Sequence, residues 1–124
     1  MSVRVLLAED HPAFAAGLTI LLDRDPRIEV VGVARHGEEV VELALANQAD
    51  VVLMDLALPR VDGFEATRRL RAASSKVSVV VLSAATHDEA EADALAAGAA
   101  TFVTKRDAYD SIVDAILEVA PRRR

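Results

Sequence analysis

The chain has no cysteine and no tryptophan, and among its 124 residues only one tyrosine and three phenylalanines. Without cysteine there is no disulfide framework, no thiolate zinc site and no thiol nucleophile. Loose sequence is scarce as well. There are five glycines and four prolines, and no internal repeat, low-complexity segment or interior linker. No run approaches the ~18 apolar residues that a spanning helix needs. Met1-Ser2-Val3-Arg4 leads straight into strand-like sequence, with no signal-peptide pattern. Excess positive charge is missing too: the net charge is −6, which argues against a domain that grips nucleic acid by itself. What is present is a hydrophobic fraction of 52%, too high for a disordered tail. The length suits one domain of the usual ~100–150 residues, which buries about two-thirds of its unfolded surface without a staple. The expectation is a soluble, cytoplasmic domain over 1–120, with 121–124 (Pro121-Arg122-Arg123-Arg124) as a basic exit segment or linker stub.

The pattern along the chain alternates. Val3 to Ala8 is a short apolar run that ends in Glu9-Asp10. Pro12 suits a first helical turn, and Phe14, Leu18, Leu21 and Leu22 recur at helical spacing until Asp25-Pro26. Glu29–Ala34 reads as a second strand, and Val40, Val41, Leu43, Ala44 and Leu45 as a second helix. Val51–Asp55 is a third strand, Leu58–Gly63 a loop, and Phe64 to Ala73 a third helix. Val77–Ser83 is a fourth strand. Asp88–Ala97 is a fourth helix that carries acids in its first turn, stops at Gly98, and has Ala90, Ala94 and Leu95 as its core side. Thr101–Lys105 is a fifth strand, and a last helix carries Ile112, Val113, Ile116 and Leu117 inward. Strands alternating with helices imply an α/β fold with a parallel sheet. The strands are continuous apolar runs, as expected when both faces are covered.

In open α/β sheets, ligands bind beyond the carboxyl ends of the strands. Those ends carry Glu9 and Asp10, Asp55, Ser83 and Lys105, whereas the second strand offers no comparable group. Each residue alone has an ordinary explanation. Asp55 could be a cap or loop acid, Glu9-Asp10 a solvated pair, Lys105 a snorkelling amine and Ser83 a turn hydroxyl. Their joint placement at four strand ends is poorly explained that way. Three carboxylates crowded together raise one another's pKa, unless a hard divalent cation sits among them. Mg²⁺ favours such oxygen ligands and commonly takes one or two carboxylates plus a phosphate. His11, His36 and His87 have no partners at metal-ligand spacing and read as surface or capping residues.

Taken in order, the acidic pair Glu9-Asp10, Met54-Asp55, Pro59 and Gly63, Ser83-Ala84, and Phe102-Val103-Thr104-Lys105 resemble a receiver domain. This is the phospho-accepting domain of two-component response regulators, and the likeness spans Val3 to about Val119. The segment Leu7-Ala8-Glu9-Asp10-His11-Pro12, with Phe14, Gly17-Leu18, Leu21-Leu22 and Ile28–Gly32, resembles the NarL/LuxR subgroup. The resemblance implies a flavodoxin-like five-stranded parallel sheet, order 2-1-3-4-5, with five helices on its two faces. Glu9 stands where many receivers have Asp, and Arg106 follows Lys105 in place of a common Pro. Rival α/β readings lack their motifs. There is no Ser/Thr/Gly phosphate loop after the first strand, no Gly-x-Gly-x-x-Gly, and no Gly-x-Ser-x-Gly around Ser83.

By the same resemblance, Asp55 is the phospho-acceptor. Asp10 and Asp55 hold Mg²⁺ directly, Glu9 largely through water, and Ala57 by its backbone carbonyl. Lys105, the Ser83 hydroxyl and the Ala84 amide bind phosphoryl oxygens. Ser83 and Phe102 form the switch, although Phe102 has no phenolic hydroxyl to offer. Ala57 and Ala85 flank the phosphate position and bear on its lifetime. The implied partners are a sensor histidine kinase and a second copy in a phosphorylation-dependent homodimer. No membrane is implied, and DNA only through a C-terminal helix-turn-helix absent from this chain. A stand-alone receiver or phosphorelay shuttle is the alternative.

Overall fold

The computed structural model describes residues 2–84, 88–105 and 109–121, with side chains at all of these except 88–90. His87, Ala85 and Arg106, and the arginines of the exit segment, lie outside them. Five strands, β1 (Val3–Ala8), β2 (Ile28–Ala34), β3 (Val51–Asp55), β4 (Ser78–Ser83) and β5 (Thr101–Thr104), alternate with five helices. These are α1 (Pro12–Asp23), α2 (Val40–Ala46), α3 (Gly63–Ala73), α4 (Asp88–Ala97) and α5 (Tyr109–Val119). The strands form one sheet in the order β2-β1-β3-β4-β5, and all four pairings are parallel. The expected flavodoxin-like topology is therefore the observed one. The sequence pattern held no sign of a single 3-10 turn, Gly37–Glu39, which precedes α2.

Strand side chains alternate between two apolar layers. Leu6, Ala8, Val52, Met54, Val79 and Val81 pack under α2, α3 and α4, together with Val40, Ala66, Leu70 and Ala94. Val5, Leu7, Val51, Leu53, Val80, Leu82 and Val103 pack under α1 and α5, against Leu18, Leu22, Ile112 and Ile116. All of β3 is buried, because it is central and covered on both faces. β2 departs from simple pairing: Val5 pairs Val30 but Leu6 pairs Gly32. Val31 is thus an extra residue that bends this edge strand.

The α4 expectation needs one correction. Ala94 is fully buried, but Leu95 is 47% exposed. Ala94 already occupies the inward position of that turn, and the next residue, about 100° round the helix, points outward. The Ala90 side chain lies outside those described. His36 stands at the N-cap position of the 3-10 turn, without a side-chain cap bond. It is half-buried, with Nδ1 enclosed and unpaired.

α4 ends as Gly98 predicts. The Gly98 amide bonds to the Leu95 carbonyl and the Ala99 amide to the Ala94 carbonyl, with Gly98 at φ +113°. This is a Schellman cap. α2 ends in the same bonds, Gln48 to Leu45 and Ala49 to Ala44, but the left-handed residue is Gln48 at φ 53°. A side chain there is strained where glycine is not. Gln48→Gly is therefore expected to raise stability by about 0.5–1 kcal/mol, read as a higher midpoint in urea. A lower midpoint would show that the Gln48 side chain contributes more than its backbone costs.

Candidate functional site

Because the strands are parallel, the carboxyl ends of β1, β3, β4 and β5 share one edge, and the chemistry gathers there. Backbone bonds carry the ladders one residue past the strands. The Glu9 amide bonds to the Ala34 carbonyl at 2.9 Å, and the Lys105 amide to the Ser83 carbonyl at 2.7 Å. Glu9, Asp55 and Lys105 continue the odd-numbered positions of their strands, the set that faces α1 and α5. They therefore converge. The Lys105 Nζ lies 2.5 Å from Glu9 Oε1 and 3.2 Å from Asp55 Oδ2.

Glu9 and Asp55 are 3% and 4% exposed, so the acidic pair is split: Glu9 is interior, whereas Asp10 is exposed. Asp55 Oδ1 accepts the Ala57 amide at 3.0 Å, and Glu9 Oε2 accepts the His11 amide at 3.1 Å. These bonds aim both carboxylates at the same space. One oxygen each from Glu9, Asp10 and Asp55 lies within 4.8 Å of the others. Glu9 Oε1 is buried with no well-aligned hydrogen bond; the Lys105 ammonium is its charged neighbour. Three carboxylates against one ammonium leave an excess of negative charge and an unsaturated buried oxygen. That donor set fits a hard, oxygen-seeking divalent cation such as Mg²⁺.

Burial, followed by the Asp55 contact, raises the Glu9 pKa above its ordinary value of 4.5, and the Lys105 and His11 bonds offset this only in part. Burial alone would lower Lys105, but the bond to Glu9 and the charge of Asp55 outweigh it, and its pKa is raised. For Glu9 the native state holds its proton to higher pH than the unfolded chain. Stability is therefore lost as pH rises from about 4.5 through the native pKa. In metal-free protein, Glu9→Gln is expected to be more stable than wild type at pH 7, because burial penalises the Glu9 charge. The gap should close as pH falls towards 4.5. Thermal melts in chelator at both pH values measure it; a gap that widens on acidification would reverse the assignment.

Ser83 is buried at the end of β4, beside Thr104 in the β4–β5 register. Ala84 is exposed just beyond it. Phe102 is half-buried in the layer under α2, α3 and α4, the face to which Ser83 belongs by alternation with Val79 and Val81. Ser83 and Phe102 thus lie on one side of the sheet, on the neighbouring strands β4 and β5. Of the three histidines, His11 sits at the N-cap of α1 without a side-chain cap bond.

The loop from Asp55 to α3 is held by close backbone approaches. The Gly63 amide bonds to the Leu56 carbonyl at 3.1 Å, and the Gly37 amide to the Pro59 carbonyl at 3.3 Å. A Cβ on Gly37 would lie 1.8 Å from the Val61 carbonyl oxygen. The Asp62 side chain caps α3 by accepting the Glu65 amide. Gly37 had no local signal in the sequence, since its neighbour in space lies 24 residues away. Nor did the placement of Phe14, whose ring centroid is 4.7 Å from the Lys105 Nζ.

Comparison with known proteins agrees with this geometry. The family model described as "Response regulator receiver domain" matches residues 5–117. The response regulator UvrY of Escherichia coli is 37% identical over 98% of the chain and 56% of its own length. The transcriptional regulatory protein LiaR of Bacillus subtilis is 38% identical over 92% of the chain and 54% of its own. The chain thus spans about half the length of these curated relatives. Among solved structures, the signal receiver domain of the response regulator NarL from Mycobacterium tuberculosis superposes with a TM-score of 0.92 at 34% identity, covering 98% of each chain. A LuxR-family two-component response regulator from Aurantimonas sp. SI85-9A1 gives 0.91 at 31%, over 96% of this chain and 85% of its own.

Proposed function

The chain belongs to the response regulator receiver family, with relatives in the NarL/LuxR subgroup, and from that premise we propose that Asp55 accepts a phosphoryl group from a sensor histidine kinase. The supporting observation is the packing of Asp55, Glu9 and Lys105 around one space at the sheet edge. An Asp55 carboxylate oxygen attacks phosphorus as the P–N bond of the donor phosphohistidine breaks, and the bonding pair leaves with the imidazole nitrogen. The product is an aspartyl phosphate. Asp10, Asp55, Glu9 and the Ala57 carbonyl would hold Mg²⁺, which when bound supplies positive charge to the transferring oxygens. Lys105 contributes a second positive charge, and the Ser83 hydroxyl and Ala84 amide hydrogen-bond the remaining oxygens. The site acts by positioning and electrostatics, the two main levers of phosphoryl transfer.

The output follows from a small rearrangement: Ser83 turns to the new phosphate and Phe102 moves into the space it leaves, which alters the face around α4, β5 and α5. α4 suits this role because the core contact of its middle turn is Ala94, a small residue, so little apolar area holds it down. In this reading the receiver domain covers 1–120 and works in the cytoplasm. It pairs with a second copy when phosphorylated, and it regulates transcription through a DNA-binding segment outside this chain. The length of UvrY and LiaR beyond the matched part supports that arrangement. Among the described residues no helix is long and apolar enough to cross a membrane.

Incubation with acetyl phosphate and Mg²⁺ should add one phosphoryl group by intact mass, and chelator should abolish it. An unmodified protein under these conditions would remove the phospho-acceptor reading.

A further inference from the structure

The sequence places an aromatic residue, Phe14, in the first turn and a half of α1, and the fold sets it against the catalytic lysine. Phe14 is half-buried and packs against the layer shared by α1 and α5. Its ring presents its face to the Lys105 ammonium, with the centroid 4.7 Å from Nζ, within the ~6 Å range of a cation–π contact. The ammonium is therefore in contact with Glu9, Asp55 and the ring at once. The same lysine and the same ring line the end of an open groove of about 300 Å³ between α1 and α5.

These two kinds of contact respond differently to a cation in the site. The carboxylates attract Lys105 while they are uncompensated. Once a divalent cation neutralises them, their pull on the ammonium weakens. A ring quadrupole has no such dependence. We propose that Phe14 is a positioning residue for Lys105: its ring keeps the ammonium at the sheet edge when the acids are engaged by metal, so that the charge meets the incoming phosphoryl oxygens. This rests on the phospho-acceptor reading above and adds a residue to it.

Phosphorylation by acetyl phosphate is followed by intact mass across a Mg²⁺ titration for wild type, Phe14→Tyr, Phe14→Leu and Phe14→Met. Tyr keeps the ring; Leu and Met keep apolar bulk without it. The rate constant at saturating Mg²⁺ should fall about threefold to tenfold in the Leu and Met variants and be retained with Tyr, while the Mg²⁺ half-saturation stays put in all four. A loss of packing alone would disturb the acids and move the half-saturation too. In carbon–proton spectra of metal-free and Mg²⁺-loaded protein, the Lys105 ε-methylene protons should be shifted upfield by the ring in wild type and Phe14→Tyr. In Phe14→Leu they should return to the ordinary lysine position. Wild-type rates in both ringless variants, or a loss shared by Phe14→Tyr, would overturn the inference while leaving Asp55 as acceptor. An ε-methylene signal that loses its upfield shift when Mg²⁺ is added to wild type would also overturn it. A wild type that accepts no phosphoryl group would defeat the underlying reading and this inference with it.

Discussion

Asp55→Asn should lose the phosphoryl mass increment, with the rate of modification falling at least about a thousandfold, the scale seen when a covalent nucleophile is removed. The substitution keeps the shape of the side chain and can still accept the Ala57 amide bond, so the loop remains in place. What it removes is the carboxylate oxygen proposed as nucleophile and one of three clustered negative charges. The variant should therefore be folded, and in chelator no less stable than wild type, since the remaining Glu9–Lys105 pair is better balanced. A far-ultraviolet spectrum and thermal melt beside the mass measurement separate loss of chemistry from loss of fold. Modification of Asp55→Asn to the wild-type extent would place the acceptor elsewhere.

The second large effect is expected at a residue with no side chain. A Cβ on Gly63 would lie 2.4 Å from the Asp55 carbonyl oxygen and 2.7 Å from the Leu56 Cα. Both neighbours are backbone, so neither can rotate aside. Gly63→Ala must push the start of α3 away from the end of β3. The expected cost is about 2–4 kcal/mol in urea unfolding. The Asp55 carboxylate, the proposed acceptor, moves with the backbone, so phosphorylation in protein that is still folded should fall by roughly a hundredfold. Gly17→Ala is the control. Nothing lies within 4 Å of a Cβ there, and alanine in a helix interior is favoured over glycine by roughly 0.5–1 kcal/mol. Gly63→Ala with the stability and activity of wild type would mean that the loop has room to relax.

Those two glycines show where pattern reading stops. Gly63 starts α3 and Gly17 lies within α1, and it is the neighbours in space that decide which of them can take a side chain. The same holds for Glu9 and Asp10, adjacent in sequence and alike in charge. One continues the β1 ladder through the Ala34 carbonyl and is buried, and the other is exposed. Leu95 was expected inward because it is apolar and in phase, yet the fully buried Ala94 takes that position and leaves it 47% exposed. The extra residue Val31 in β2 gave no signal either, because a bulge is a property of two paired strands.

Sequence alone determined the order of elements, the parallel sheet and the identity of the groups at its carboxyl edge. The reason is local: apolar runs, helical spacing and breaker residues such as Asp25-Pro26 and Gly98 act within a few residues of one another. It also singled out Asp55, Glu9, Asp10, Ser83 and Lys105, because in a parallel sheet every strand delivers its last residue to the same edge. Only the tertiary structure decided how those groups meet. The pairing of Lys105 with Glu9 and Asp55, the Phe14 ring beside the ammonium, and the close approaches of Gly37 and Gly63 join residues far apart in the chain. Such contacts arise from strand register and from helices seated on the sheet, and both are settled when the two apolar layers pack.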